Sequence, residues 1–244
     1  MRAAVISEQG LRPAMEDAHF LDPDFGRRSW VYGGVYDGHN GVLAANYAAQ
    51  NIHKTFLDNY SSGLEPGEAF VHSYETVSGA LRFQESGAAA ADFFIRNGNV
   101  FTANAGDCRA VVVSHNAIIQ LTTDHRLDNA EERTRVEATG AVIGYPYVFI
   151  GQRGLMTTRA IGDHHFRAVG VISTPSLNKH RMSADDLFLI CASDGLWDFM
   201  PNEEVAALAR KVAGPEDLVA CLRKEVLVNR LGTDNLTIIA VSLQ

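Results

Sequence analysis

From Ala88 to Leu121 the chain turns strand-like, with short runs at Asp92–Arg96, Val100–Asn104, Arg109–Ser114 and Ala117–Leu121. This region limits the fold more than any other. Asn97-Gly98 joins the first two runs, and both residues tolerate the left-handed backbone of a tight hairpin. Hairpins one after another imply antiparallel pairing, since parallel neighbours need a long crossover.

Helical spacing brackets the β region. Ala45, Ala48, Ile52 and Phe56 follow a helical face after Gly41, as do Phe70, Tyr74, Val77 and Leu81 after Pro66. A short helix is expected from Ala130 to Thr139, with Asn129 and Glu132 in capping-box spacing and Gly140 past its end. Two more helices are expected after Pro201 and after Pro215. Further strands are expected at Arg2–Ser7, Val31–Tyr36, Val142–Ile150, Leu155–Ile161, Leu187–Ala192 and Leu236–Leu243. This order does not alternate as a doubly wound parallel sheet would, so it favours antiparallel sheets with helices packed outside. With 244 residues, 46% of them apolar, and no repeat or linker, a single domain over 1–244 is the simpler expectation.

The formal charge of -8, with the 21 Lys and Arg scattered, offers no basic patch for nucleic acid or an anionic membrane. The N-terminus lacks the apolar core of a signal peptide, and no apolar run is long enough to span a bilayer. A cytoplasmic or nuclear setting is the expectation. Cys108, Cys191 and Cys221 are odd in number and have no CxxC spacing, which points away from a disulfide framework or a zinc site.

Polar chemistry gathers where apolar runs stop. Asp37 follows Val31–Tyr36 and precedes Gly38 and His39; Asp107, Asp194 with Asp198, and Asp234 also adjoin apolar stretches. Carboxylates converging at one sheet edge would repel one another and resist desolvation, so convergence would require cations. Oxygen donors without a Cys or His cluster suit a hard ion such as Mg²⁺ or Mn²⁺. Two such ions about 3.5–4 Å apart can activate a water for in-line attack on phosphorus.

The motifs then become recognisable as a set. R-x-x-M-E-D (Arg12 to Asp17), Y-D-G-H-x-G (Tyr36 to Gly41), A-N-A-G-D-C-R (Ala103 to Arg109), T-x-D-H (Thr122 to His125), T-R-A-I-G-D (Thr158 to Asp163), S-D-G-L-W-D (Ser193 to Asp198) and T-D-N-L-T (Thr233 to Thr237) occur in order. The chain resembles a metal-dependent serine/threonine protein phosphatase of type 2C. The resemblance implies an α+β fold in which two antiparallel β-sheets pack as a central sandwich flanked by α-helices on both sides. It also implies a centre of two Mn²⁺ or Mg²⁺ ions with a weaker third position.

By that resemblance, Asp37 bridges two metals, the Gly38 carbonyl binds one, and Asp194 and Asp234 complete the other. Glu16 and Asp17 hold metal-bound waters, and Asp107, with Asp194 and with Asp198 as a further candidate, matches the third position. Arg12 grips the substrate phosphate, and His39 protonates the leaving seryl or threonyl oxygen. The expected partners are phosphoprotein substrates in signalling, with no nucleic acid and no membrane, and the expected state is a monomer. Residues 140–154 form the expected flap beside the site. Against the family's usual S-G-S-T-A the chain has Ser86, Gly87, Ala88, Ala89 and Ala90, so two hydroxyls are missing at Ala88 and Ala89, and it also departs from the pattern at Asn40, at Cys108 and at Arg167. A catalytically weak or silent relative that binds partners is the alternative reading.

Overall fold

The structure is a computed structural model that describes residues 1–26 and 29–244. Among the described residues fourteen strands, all paired antiparallel, carry the architecture. One sheet has the order β1-β14-β13-β6-β7, built from β1 (Ala3–Glu8), β14 (Leu236–Ser242), β13 (Asp186–Ala192), β6 (Arg109–Ser114) and β7 (Ile118–Gln120). The other has the order β12-β5-β4-β3-β2, built from β12 (Ser176–Arg181), β5 (Asn99–Ala105), β4 (Gly87–Arg96), β3 (Val31–His39) and β2 (Ala18–Asp22). The short β11 (Ile161–Gly162) pairs with the start of β4.

Alternation along the strands decides which residues fill the sandwich. Val31, Val35, Ala91 and Phe93 of one sheet meet Val112, Leu189, Cys191 and Ile239 of the other in one buried cluster. The opposite faces are equally apolar and take the helices. Ala45, Ala48, Ile52 and Phe56 of α1 (Leu43–Ser61), with Phe70, Tyr74 and Val77 of α2 (Pro66–Ala80), cover β3 and β4. On the far side α4 (Asp194–Trp197), α5 (Asn202–Ala209) and α6 (Pro215–Lys224) cover β6, β13 and β14. The helix–sheet–sheet–helix layering agrees with the expected sandwich. No helix among the described residues is long and apolar enough to cross a membrane.

Several local expectations need correction. β3 does not stop at Tyr36 but pairs through Asp37, Gly38 and His39 with Ala89, Ala88 and Gly87. The alanine run is therefore part of β4, not a lead into it. Ala88 and Ala90 pack with Ala44, Ala45 and Ala48, where small side chains let α1 approach the sheet closely. Residues 155–161 are not one strand: β10 (Arg153–Leu155) closes a three-stranded sheet with β9 (Tyr147–Ile150) and β8 (Val142–Gly144), and β11 belongs elsewhere. β2 and β12 lie at sheet edges, and their sequences, AHFLD and SLNKHR, do not alternate between apolar and polar and so carry little strand signal.

Helix α3 (Ala130–Glu137) starts as expected, with Asn129 Oδ1 accepting from the N–H groups of Glu131 and Glu132. Glu132 does not return the cap. Its buried carboxylate accepts instead from Arg159, Arg135 and Thr158, which ties α3 to the segment leading into β11. A second buried carboxylate, Asp92, accepts from the hydroxyls of Tyr32, Tyr36 and Tyr74 at 2.9, 2.5 and 2.7 Å. Without such donors a core carboxylate would cost several kcal/mol.

Candidate functional site

Strand parity positions the first carboxylate. Val31 and Val35 point between the sheets, whereas Tyr32 and Tyr36 point to the helices. Asp37 and His39 continue the first set and Gly38 the second. Asp37 thus enters the inter-sheet space where its apolar filling ends. Gly38 faces α1, and its N–H donates to Glu16 O at 3.2 Å. A Cβ at residue 38 would strike that carbonyl and crowd Ala45, so the close approach requires glycine. Asn40 takes a left-handed backbone, at φ 55°, which asparagine tolerates.

Other segments bring carboxylates to the same end. Asp107 lies between β5 and β6, Asp194 opens α4 just past β13, and Asp234 precedes β14. Asp37 and Asp194 are hydrogen-bonded to each other. Burial, and then the charges of Asp194, Asp17 and Asp107, push Asp37 well above the usual carboxylate range. Burial, and then Asp107 and Asp198, also push Asp194 up. The pair therefore favours a shared proton over two bare charges.

Arg12, Asp37, His39, Asp107, Asp194 and Asp234 line a single cleft of about 280 Å³. Glu16 and Gly38 also reach it. Asp17 does not: it lies behind, where Ser193 Oγ donates to its Oδ2 at 2.8 Å. Burial raises Asp17 to about 6, and its Oδ1 is buried without a hydrogen-bond partner among the described residues. Arg12 Nη2 donates to Asp234 Oδ2 at 2.6 Å. Glu16 Oε1 accepts from Gly41 N–H at 2.6 Å. Asn235 braces the loop, with Oδ1 accepting from Glu16 N–H and Nδ2 donating to the carbonyls of Gln9 and Ala14.

His39 is held from the far side of β4. Its Nε2 lies 2.6 Å from Oδ2 of Asp163, a fully buried residue at φ 48°. Burial lowers the His39 pKa, but the hydrogen bond and charge of Asp163, with smaller contributions from Asp107 and Glu16, outweigh it and leave it raised. A Cβ at Gly87 would collide with both partners, so this contact also requires a glycine. Ala89 and, from the small flap sheet, Tyr147 and Gly154 complete the wall of the cleft.

The donor set is oxygen-only, which suits a hard divalent cation. Carboxylates with raised pKa values at one end of the sandwich, and the unpartnered buried Oδ1 of Asp17, fit the same demand. Among the described residues no three His, Cys, Asp or Glu side chains form a ready cage. Local pairing accounts for this. Asp234 faces Arg12, Asp37 bonds Asp194, and Arg126 spans Asp107, Asp194 and Asp198.

Two residues of this neighbourhood had no role assigned from sequence. Asp163 ends T-R-A-I-G-D, and Arg126 follows T-x-D-H, so each stood beside a motif without showing a partner. Asn235, which follows Asp234, is a hub for residues 9–16. His125 bonds Gly106 and Ser176. Cys108 is fully buried in the inter-sheet cluster.

A sequence model described as "Protein phosphatase 2C" matches residues 1–232. The chain is 34% identical to "Probable protein phosphatase 2C 25" of Arabidopsis thaliana, over 99% of this chain and 64% of that protein. It is 32% identical to "Protein phosphatase 2C homolog 1" of Schizosaccharomyces pombe, over 96% of this chain and 70% of that protein. The chain spans roughly two thirds of the length of the curated relatives it matches. Among solved structures, the serine-threonine phosphatase 2C from Toxoplasma gondii superposes with a TM-score of 0.87 at 20% identity, over 99% of this chain and 94% of that one. A bacterial serine phosphatase superposes with a TM-score of 0.76 at 20% identity, over 100% and 98% of the two chains. The fold agrees with these neighbours and the family match runs through every motif from Arg12 to Asp198, so the chain belongs to the protein phosphatase 2C family.

Proposed function

We propose that this chain hydrolyses phosphoserine and phosphothreonine in proteins at a binuclear Mn²⁺ or Mg²⁺ centre. The observation that carries this reading is the convergence of Asp37, Asp107, Asp194 and Asp234 in the cleft that Arg12 and His39 also line. The family membership and the names of the relatives support it.

Asp37, the Gly38 carbonyl, Asp194 and Asp234 would hold the two ions, Glu16 and Asp17 their waters, and Asp107 with Asp194 a weaker third. Such ions supply Lewis acidity and a water acidic enough to attack phosphorus near neutral pH. The Arg12 guanidinium is 56% exposed on Asp234, so it can turn to a phosphate and offer paired donors. His39 keeps Nε2–H on Asp163, which leaves Nδ1–H to protonate the departing seryl or threonyl oxygen. Tyr147 and Gly154 put the flap sheet against the cleft, where it would meet residues flanking the phosphorylated one.

One observation favours the alternative of a weak or silent relative: Ala89 lines the cleft with a methyl group where the family pattern carries a hydroxyl. An assay of phosphopeptides against nucleotides and phosphodiesters, with and without Mn²⁺, separates the readings. Metal-dependent release of phosphate from the phosphopeptide alone supports the proposal. Equal hydrolysis of all three classes contradicts the substrate, and no hydrolysis contradicts the activity.

A further inference from the structure

One cation stands among the carboxylates without a part in the chemistry above. Arg126 Nε donates to Asp107 Oδ2 at 2.6 Å, Nη1 donates to Asp198 Oδ1 at 3.0 Å, and Nη2 donates to Asp194 Oδ2 at 3.2 Å. Nη2 also reaches Asp198 Oδ2 at 3.4 Å. The three acids come from the β5–β6 turn and from the two ends of α4. Among the described residues, Arg126 is the cation that forms salt bridges with all three.

Its backbone is pinned on both sides. His125 N–H donates to Gly106 O at 3.0 Å, Thr158 N–H donates to His125 O at 2.8 Å, and Arg126 itself bridges Thr157. The guanidinium end is freer, because the side chain is 21% exposed and Asp198, at its outer edge, is 50% exposed. A rotation of the side chain into solvent would vacate the three carboxylates without moving the strands.

We infer that Arg126 is a tethered counter-cation that holds Asp107, Asp194 and Asp198 together and must withdraw before a divalent ion can take that position. The inference rests on the metal centre proposed above. A planar guanidinium uses the in-plane lone pairs of carboxylates, and a hard cation needs the same oxygens. The two occupants therefore exclude one another. Arginine stays charged throughout the working pH range, so the competition proceeds by displacement of the side chain and not by loss of its proton. Arg126 thereby sets the affinity of the weakest ion the chain binds and keeps three like charges from separating until that ion arrives.

The test is calorimetric titration of Mn²⁺ into the full chain after chelation and dialysis, for the wild type and for Arg126→Ala, Arg126→Gln and Arg126→Lys. The Ala and Gln variants are expected to bind one additional Mn²⁺, or to bind the weakest ion roughly tenfold more tightly or better. Arg126→Lys, which keeps a charge but loses the fork, is expected to fall between. Unchanged number and affinity in Ala and Gln, or weaker binding, would overturn the inference. Normal Mn²⁺ binding unaffected by substitution overturns this inference alone; no binding in any form overturns the proposed centre as well. If Arg126→Ala loses cooperative unfolding in chelator because the acids repel, added Mn²⁺ is expected to restore it, and failure to do so counts against the inference.

Discussion

His39 Nε2 meets Asp163 Oδ2 at 2.6 Å across a strand end that only glycine at residue 87 leaves open. Asp163 is buried, takes a left-handed backbone and immediately precedes the 3-10 turn His164–Val169, which its side chain does not cap. It reaches the imidazole through a carboxylate whose Oδ1 has no partner among the described residues. On the proposed function Asp163 would be a positioning residue, setting the orientation and protonation of His39. Asp163→Asn is expected to lower kcat on a phosphopeptide by roughly 10–100-fold with little change in KM. A rise in KM with kcat intact would instead mean that Asp163 shapes the binding surface.

Glu132 offers a test of the frame behind the site. Burial opposes its charge, but hydrogen bonds from Arg159, Thr158 and Arg135 hold its pKa down at about 2, against 4.5 ordinarily. Because the folded pKa is depressed, its stabilisation is full above about pH 4.5 and is lost as pH falls toward about 2. Glu132→Gln should cost about 3 kcal/mol at neutral pH, since it leaves two guanidinium groups without their acid. Urea unfolding at several pH values should show the gap between variant and wild type closing through that acidic window. A gap independent of pH would contradict the assignment.

Much of this arrangement was legible in the chain itself, for physical reasons that differ by residue. Asp37, His39 and Gly38 are contiguous, and period-two alternation carries their placement once β3 is known to run through them. The covering helices were legible because their apolar faces are regular. Edge strands β2 and β12 were not, because partly exposed edges tolerate sequences that do not alternate. Arg126 and Asp163 were missed because their partners lie up to 124 residues away, a pairing that no local spacing encodes. Glu132 illustrates the opposite error: its spacing from Asn129 suggested a local cap, and a tertiary ion pair took the side chain.

Ala89 allows the departure from the family pattern to be tested directly. Its side chain lines the cleft and is 2% exposed, so Ala89→Ser adds one oxygen at the wall without a large change of volume. If the missing hydroxyl weakens the site, the serine variant should gain metal-dependent activity by about tenfold. Unaltered activity would mean that the alanine serves the close packing around Gly106 and nothing else.

The cysteines should label in a fixed order. Burial, then the charges of Asp37 and Asp107, push the Cys108 thiol well above its usual pKa, and Cys191 is likewise buried. Cys221 is partly exposed. A thiol reagent should modify Cys221 in the native protein and the other two only on unfolding, as peptide mass mapping would show. Rapid native labelling of Cys108 would mean that the sandwich end opens more readily than its packing implies.

The central claim is that carboxylates meeting at the end of the sandwich hold the cations that drive phosphoester hydrolysis. Phosphate release from a phosphoserine peptide, measured across Mn²⁺ concentrations for the wild type, Asp37→Asn and Asp194→Asn, tests it most directly. Mn²⁺-dependent turnover is expected in the wild type, with a loss of at least about 100-fold in each variant and cooperative unfolding retained. Wild-type turnover in either variant, or turnover indifferent to Mn²⁺ and to chelator, would contradict it.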